Sequence, residues 1–224
     1  MATILHLETS TKVCSVAISI DGEVKSCVES NDEQYSHGEK LTLYIIQALE
    51  EAVISKSELD AVSVTSGPGS YTGLRIGAAT AKGLCFSLNI PLISVDSLTS
   101  LMEQARLKHH SANLCPVIDA RRMEVYNAVY NADGESLKEI SADVIEGDSY
   151  ENYTPFIYFG DGASKLSEVW NQKGRTADLD ILSSALGHVR VANSKFLKEQ
   201  FEDVAYFEPF YLKNFIAGKK SSKL

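Results

Sequence analysis

The 224 residues predict an α/β protein of two lobes built on one plan. Three observations carry this. Strand-like and helix-like periodicities follow each other in the order β-β-β-α-β-α-β-α, the pattern breaks around Lys108 to Asn113, and a similar order then begins again. Each half opens with a strand ending in an acid, Glu8 in the first and Asp119 in the second. Tandem βββαβα units of this kind are an actin-like plan, here repeated in element order without residue identity between the halves. The expected lobes are residues 1–110 and 111–224.

The elements are justified in turn. Thr3 to Glu8 and Val13 to Ile20 read as strands, the second alternating Cys14, Val16, Ile18 and Ile20 on one face. Asp21-Gly22 supplies a hairpin turn, and Glu23 to Ser30 returns as a third strand. A polar break, Asn31 to Ser36, precedes a helix expected over Gly38 to Ile54, with Leu41, Tyr44, Ile45, Ala48, Leu49, Ala52 and Val53 at helical spacing. Leu43 and Ile46 lie off that stripe, so the apolar surface is wider than one face, implying burial on two sides or against a partner. A strand over Leu59 to Thr65, a glycine turn, a helix to Leu88, a strand Leu92 to Val95 and a helix after Asp96-Ser97 complete the first half. In the second half, Leu114 to Asp119, Met123 to Tyr130, a short run near Leu137 to Ile140 and Phe156 to Phe159 read as strands. Arg121-Arg122 and Asn131 to Gly134 are turns between them. A helix is expected through Leu166 and Trp170, and one or two more between Leu182 and Leu212.

Composition narrows the function classes. With 21 basic and 30 acidic side chains the formal charge is −9, which argues against nucleic-acid binding by the bulk surface. Arg121-Arg122 and the tail lysines Lys213, Lys219, Lys220 and Lys223 are the small basic clusters, of a size usually found on solvated faces. Cys14, Cys27, Cys85 and Cys115 are scattered without a C-x-x-C pair, as expected of free thiols in a reducing, cytoplasmic setting. The start lacks a signal-peptide pattern, and the longest uncharged run, Gly83 to Val95, is too short to span a membrane. The final Ser222-Lys223-Leu224 matches a peroxisomal address, a three-residue pattern of low specificity.

The most distinctive stretch is Ser66-Gly67-Pro68-Gly69-Ser70-Tyr71-Thr72-Gly73-Leu74-Arg75-Ile76-Gly77. Strand, glycine turn and helix start in succession suit either an anion cradle or close packing. Gly67, Pro68, Gly69 and Ser70 form the turn, with Ser70 as helix N-cap. The spacing excludes a Walker loop, misses the dinucleotide fingerprint by one residue, and gives no G-x-S-x-G elbow at Ser70. Gly73, Gly77 and Ala81 lie four apart on one helix face, and glycines inside a helix cost about 1 kcal/mol each relative to alanine. Close approach of another backbone offsets that cost, supplied either by this chain's own core or by a partner helix.

Leu7-Glu8-Thr9-Ser10, Cys14-Ser15-Val16-Ala17, Ser66 to Gly77, Pro91 to Ser97, and Ile118-Asp119-Ala120-Arg121 with Glu124-Val125-Tyr126 resemble the bacterial TsaB family, YeaZ-type and historically grouped with glycopeptidases. The resemblance covers nearly the whole chain. It implies an actin-like (ASKHA) fold and a noncatalytic subunit that binds and activates its catalytic paralogue TsaD, with TsaE as a further partner, in threonylcarbamoyl transfer to adenosine 37 of tRNA. It implies a homodimer when alone, tRNA contact only through the complex, and no cofactor of its own, leaving open a nucleotide at the interface with TsaD. The histidine pair that holds the metal in TsaD corresponds here to Ser97 and Leu101, and leucine ligates no metal. His37 has Leu41 at i+4 rather than a second ligand. Glu8 and Asp119 are the weak cofactor-binding candidates, strand-end carboxylates that actin-like ATPases use near phosphate. The expected partner surface is Leu41, Tyr44, Ile45, Ala48, Gly73, Gly77 and Ala81. The rival reading is a stand-alone metallopeptidase-like or ATP-hydrolysing enzyme.

Overall fold

The structure, a computed structural model, describes residues 1–31, 37–171 and 174–213. The break at 32–36, the tail lysines beyond Lys213 and the terminal Ser-Lys-Leu therefore lie outside the described residues in whole or part. The first lobe carries strands β1 (Thr3–Glu8), β2 (Val13–Ile20), β3 (Glu23–Asn31), β4 (Ala61–Gly67) and β5 (Leu92–Asp96), with helices α1 (His37–Ala52), α2 (Tyr71–Leu88) and α3 (Ser97–Arg106). The second carries β6 (Asn113–Asp119), β7 (Glu124–Tyr130), β8 (Ser136–Val144), β9 (Phe156–Phe159) and β10 (Arg175–Asp178), and α4 (Val189–Leu197) follows.

Both sheets have five strands in the same order. The first reads β3-β2-β1-β4-β5 and the second, from the other edge, β8-β7-β6-β9-β10. In each, the three leading strands form an antiparallel meander and the last two add in parallel beside the opening strand. Between β9 and β10 the second lobe has only a 3₁₀ turn, Ser164–Leu166, where a helix through Trp170 was expected. Trp170 is buried all the same, ringed by Tyr150, Phe156 and Tyr158. The strand β10, Arg-Thr-Ala-Asp, has no alternating apolar pattern and escapes sequence reading.

Strand β1 is buried on both faces, and its alternation decides what each face holds. Leu5 and Leu7 join Val16, Ile18, Val62 and Val64 under α1 and α2, where Leu41, Ile45, Ala48, Ala78, Ala81 and Cys85 close the core. Ile4 faces the other way with Ile93 and Val95, covered by Ala192, Val191 and Phe196 of α4. Helix α3 is shared: its Leu98, Leu101, Met102 and Ala105 pack on Leu114, Ile118, Ala128 and Phe159 of the second sheet.

These contacts correct two expectations. The segment after β10 does not stay with the second lobe: α4 packs on the first sheet, Glu202 bridges Leu92, and Phe207 enters the first core. The chain thus crosses back near residue 182. The stripe Leu41, Ile45, Ala48, Gly73, Gly77 and Ala81 is buried within the single chain and Tyr44 is half-buried, so these residues are core, not a surface awaiting a partner. A wide apolar helix face satisfied them internally; sequence periodicity does not distinguish the two uses. None of the four cysteines is in a disulfide, and no helix among the described residues is long and apolar enough to cross a membrane.

Candidate functional site

The glycine stretch sits at the junction of β4 and α2. Ser70 is the N-cap, its Oγ accepting from the Gly73 N–H at 3.3 Å. The Ser70 N–H donates to the Ser10 carbonyl at 2.6 Å, and the Thr9 hydroxyl donates to the Gly73 carbonyl at 2.9 Å. A Cβ added at Gly69, Gly73 or Gly77 would come within 3.0 Å of Ser10 or Thr9 atoms. The close neighbour that the glycines serve is therefore the connection between β1 and β2. At the turn itself the Phe210 N–H donates to the Ser66 carbonyl at 2.7 Å, and the Phe210 carbonyl fills the space beside Gly67. The shape of an anion cradle is present, but this chain's own Ser10 and Phe210 occupy it.

Glu8 and Asp119 stand in separate surroundings, one sealed in the first lobe and the other at the edge of the second sheet. Glu8 is fully buried; its Oε1 accepts from the Ser10 N–H at 2.6 Å, and its Oε2 lies 3.5 Å from His188 Nε2. Burial alone would raise this carboxyl, yet the hydrogen bond and charge of His188, with Ser10, bring it net below the ordinary value. His188 is also fully buried, its Nδ1 3.1 Å from Ser63 Oγ and its Nε2 3.2 Å from Thr65 Oγ1. His6 Nδ1 meets the same Ser63 hydroxyl at 2.8 Å and its Nε2 meets Ser19 Oγ at 2.7 Å. His6 lies on β1 and His188 just before α4, 182 residues apart, and no sequence pattern joins them. The signal was there for one half: His6 and Glu8 share a strand face with Ile4, and Ser63 stands in register beside His6. Only the fold brings His188 across.

Asp119 is half-exposed at the end of β6, accepting from the Arg121 N–H at 2.8 Å and paired with the Lys165 ammonium. The Asp119 N–H donates to Asp161 Oδ1 at 3.0 Å. Burial, reinforced by the Asp119 charge and opposed by the Asp119 N–H bond, Lys165 and Lys12, pushes the Asp161 carboxyl up to about 6. Ser97 and Leu101, where the resemblance looks for metal ligands, are buried, Leu101 in the apolar layer beside Gly160. Among the described residues no three His, Cys, Asp or Glu side chains are grouped to hold a metal ion. His37, whose Nε2 lies 2.8 Å from the Thr11 carbonyl, is a buried brace of the β1–β2 connection.

What remains open is the outer face of α1 and α2. Leu43 is 62% exposed and Phe86 85%, with Ile46, Val53, Ala79 and Gly83 also outward; a Cβ at Gly83 would meet nothing within 4 Å. Both helices thus carry large apolar side chains that the chain itself does not cover.

The sequence model described as "TsaD: tRNA N6-adenosine threonylcarbamoyltransferase" matches residues 31–206. The tRNA threonylcarbamoyladenosine biosynthesis protein TsaB of Haemophilus influenzae is 30% identical, over 97% of this chain and 96% of that protein. The TsaB of Escherichia coli is 28% identical, over 97% of each. Among solved structures, YeaZ from Pseudomonas aeruginosa superposes with a TM-score of 0.80 at 27% identity, covering 95% of this chain and all of that one. With the fold, the glycine turn and end-to-end similarity in agreement, this chain belongs to the TsaB, or YeaZ-type, branch of the TsaD family.

Proposed function

We propose that the chain works in tRNA threonylcarbamoyladenosine biosynthesis as a noncatalytic subunit that binds and activates TsaD, with TsaE as a further partner. The observation that carries this reading is the division between the two sides of the first lobe. The positions at which the paralogue and actin-like enzymes place chemistry are filled with core: Leu101 is apolar, Glu8 is sealed, and the glycine turn is packed against Thr9 and Ser10. The α1–α2 face is left uncovered and apolar, centred on Leu43, Ile46 and Phe86. A stand-alone hydrolase would need Glu8 or a comparable group in reach of substrate, and burial denies that to Glu8. No cofactor is assigned to this chain, and a nucleotide would belong to the joint interface with TsaD. Without TsaD, the same face would close on a second copy by an isologous contact.

The test is copurification with TsaD of the parent and of Phe86→Asp combined with Leu43→Asp, with circular dichroism of each. Both positions are exposed, so the fold should persist while TsaD capture and tRNA modification in a reconstituted assay are lost. Undiminished capture by the folded double variant would sink the interface. Turnover of ATP or peptide by the chain without TsaD would favour the stand-alone enzyme.

A further inference from the structure

The chain carries −9 overall, yet cations and aromatic rings collect along one strip where the lobes meet. Arg121 and Arg122 form the hairpin turn between β6 and β7, closed by Ala120 N–H to the Glu124 carbonyl at 3.1 Å and Glu124 N–H to the Arg121 carbonyl at 3.2 Å. Both have left-handed backbones, φ 71° and 53°, and both side chains are exposed. Asn and Gly make such turns with least steric cost. Two arginines in succession oppose that local preference, which points to a task for their side chains. Neither guanidinium is held in an ion pair among the described residues.

The strip continues through the C-terminal segment. Lys213 pairs with Glu124, and Lys213 and Arg121 both lie close enough to bear on the Tyr126 phenol. Two residues earlier Tyr211 packs against Tyr71 at a tilt of 41°, ring centres 4.7 Å apart, and accepts from Arg75 Nε at 3.3 Å. The Arg75 guanidinium lies 4.1 Å over the Tyr71 ring and is exposed. Lys12 and Lys165 flank the second-lobe end beside Asp161. The acids along the strip are Glu124, Asp119, Asp161 and Glu208; the first two already hold Lys213 and Lys165, leaving Arg75, Arg121 and Arg122 as outward cations.

We propose that this strip holds RNA directly: Arg121 and Arg122 on phosphodiester groups, and the Tyr71–Arg75–Tyr211 cluster beneath an unpaired base. Guanidinium planes and aromatic rings offer stacking that is tolerant of base identity, while the paired arginines supply charge complementarity. The proposal rests on the role in tRNA modification, but assigns to this chain a contact separate from the α1–α2 face.

An unmodified tRNA transcript is the probe, titrated by fluorescence polarisation at several salt concentrations against the full chain alone and with TsaD. Arg121→Asn with Arg122→Gly removes the side chains while giving the turn its favoured residues. The expected result is RNA affinity lowered about tenfold and a log–log salt slope flattened by about 1.5, two phosphate contacts fewer. The melting temperature should be unchanged or higher, which separates a binding role from a structural one. Unchanged affinity and slope in this variant, with TsaD capture intact, overturns the proposal, as does RNA binding by neither the chain nor the complex. Loss seen only with Arg121→Glu and Arg122→Glu overturns it too, since that is repulsion rather than a lost contact. Failure of the parent to capture TsaD counts against the α1–α2 reading and leaves the RNA comparison on the chain itself intact.

Discussion

Gly73 and Gly83 lie on one helix and should answer the same substitution with opposite signs. Replacing a helical glycine by alanine gains about 1 kcal/mol of helix propensity at interior Gly83 and at most that at Gly73 in the first turn. At Gly83 the new methyl meets nothing within 4 Å, so the gain stands. For a chain of this size it should raise the melting temperature by about 2–4 °C. At Gly73 the methyl would fall inside 3.0 Å of the Thr9 carbonyl and 3.2 Å from His37 Cδ2. A backbone oxygen cannot rotate away, so α2 must lift from the β1–β2 connection. That strains the bond from the Thr9 hydroxyl to the Gly73 carbonyl and the bond from the Ser70 N–H to the Ser10 carbonyl. Two buried hydrogen bonds at about 1 kcal/mol each and overpacking of about 1–3 kcal/mol outweigh the propensity term. The net loss is about 2–4 kcal/mol, a fall of about 5–15 °C. Urea and thermal unfolding followed by circular dichroism measure both variants under one set of conditions. Gly73→Ala as stable as the parent would refute the close-approach account of the glycine stripe.

Two further predictions concern buried titratable groups. Burial, and then the neighbouring His188, hold His6 well below the ordinary histidine value, so the folded state keeps it neutral while the unfolded chain takes up its proton near pH 6.5. Stability should therefore fall as pH drops below about 6.5, with a slope of up to about 1.4 kcal/mol per pH unit from this group. Glu8, held below its usual value, contributes stability that is present above about pH 4.5 and lost as pH falls through its folded value. Urea midpoints equal at pH 7.5 and 5.5 would contradict the histidine part. Burial pushes the thiols of Cys85 and Cys27 up to about 11 and that of Cys115 up to about 12. Alkylation at neutral pH should accordingly be much slower in the folded protein than in urea, read by mass spectrometry; equal rates would show these sites to be open.

Much of the first lobe was legible because its elements obey clean periods. Val13–Ile20 alternates, α2 begins at an N-cap and ends at Asn89 in a left-handed cap, and both match the sequence reading to the residue. The second lobe was less so: β10 is polar and pairs in parallel with β9, a partner that no local pattern names. The site divides the same way. The glycine turn and its N-cap were readable from spacing. The identity of what packs against Gly73 and Gly77 was not, since Thr9 is 64 residues from Gly73 along the chain. Six of the seven residues expected to face a partner are core, while Leu43, Ile46 and Phe86 proved to be the outward ones. A helix with apolar residues on every side shows that two surfaces exist without saying which is inner.

The return of α4 to the first sheet has a consequence for how the molecule is made. The polypeptide of the second lobe, between about Asn113 and Leu182, is contiguous, whereas the first lobe's outer layer is supplied by residues made after it. During synthesis the N-terminal half must wait with Ile4, Ile93 and Val95 unroofed until Ala192 and Phe196 arrive, even though the later half can already close. The part of the chain that is first in sequence is thus the last to be finished.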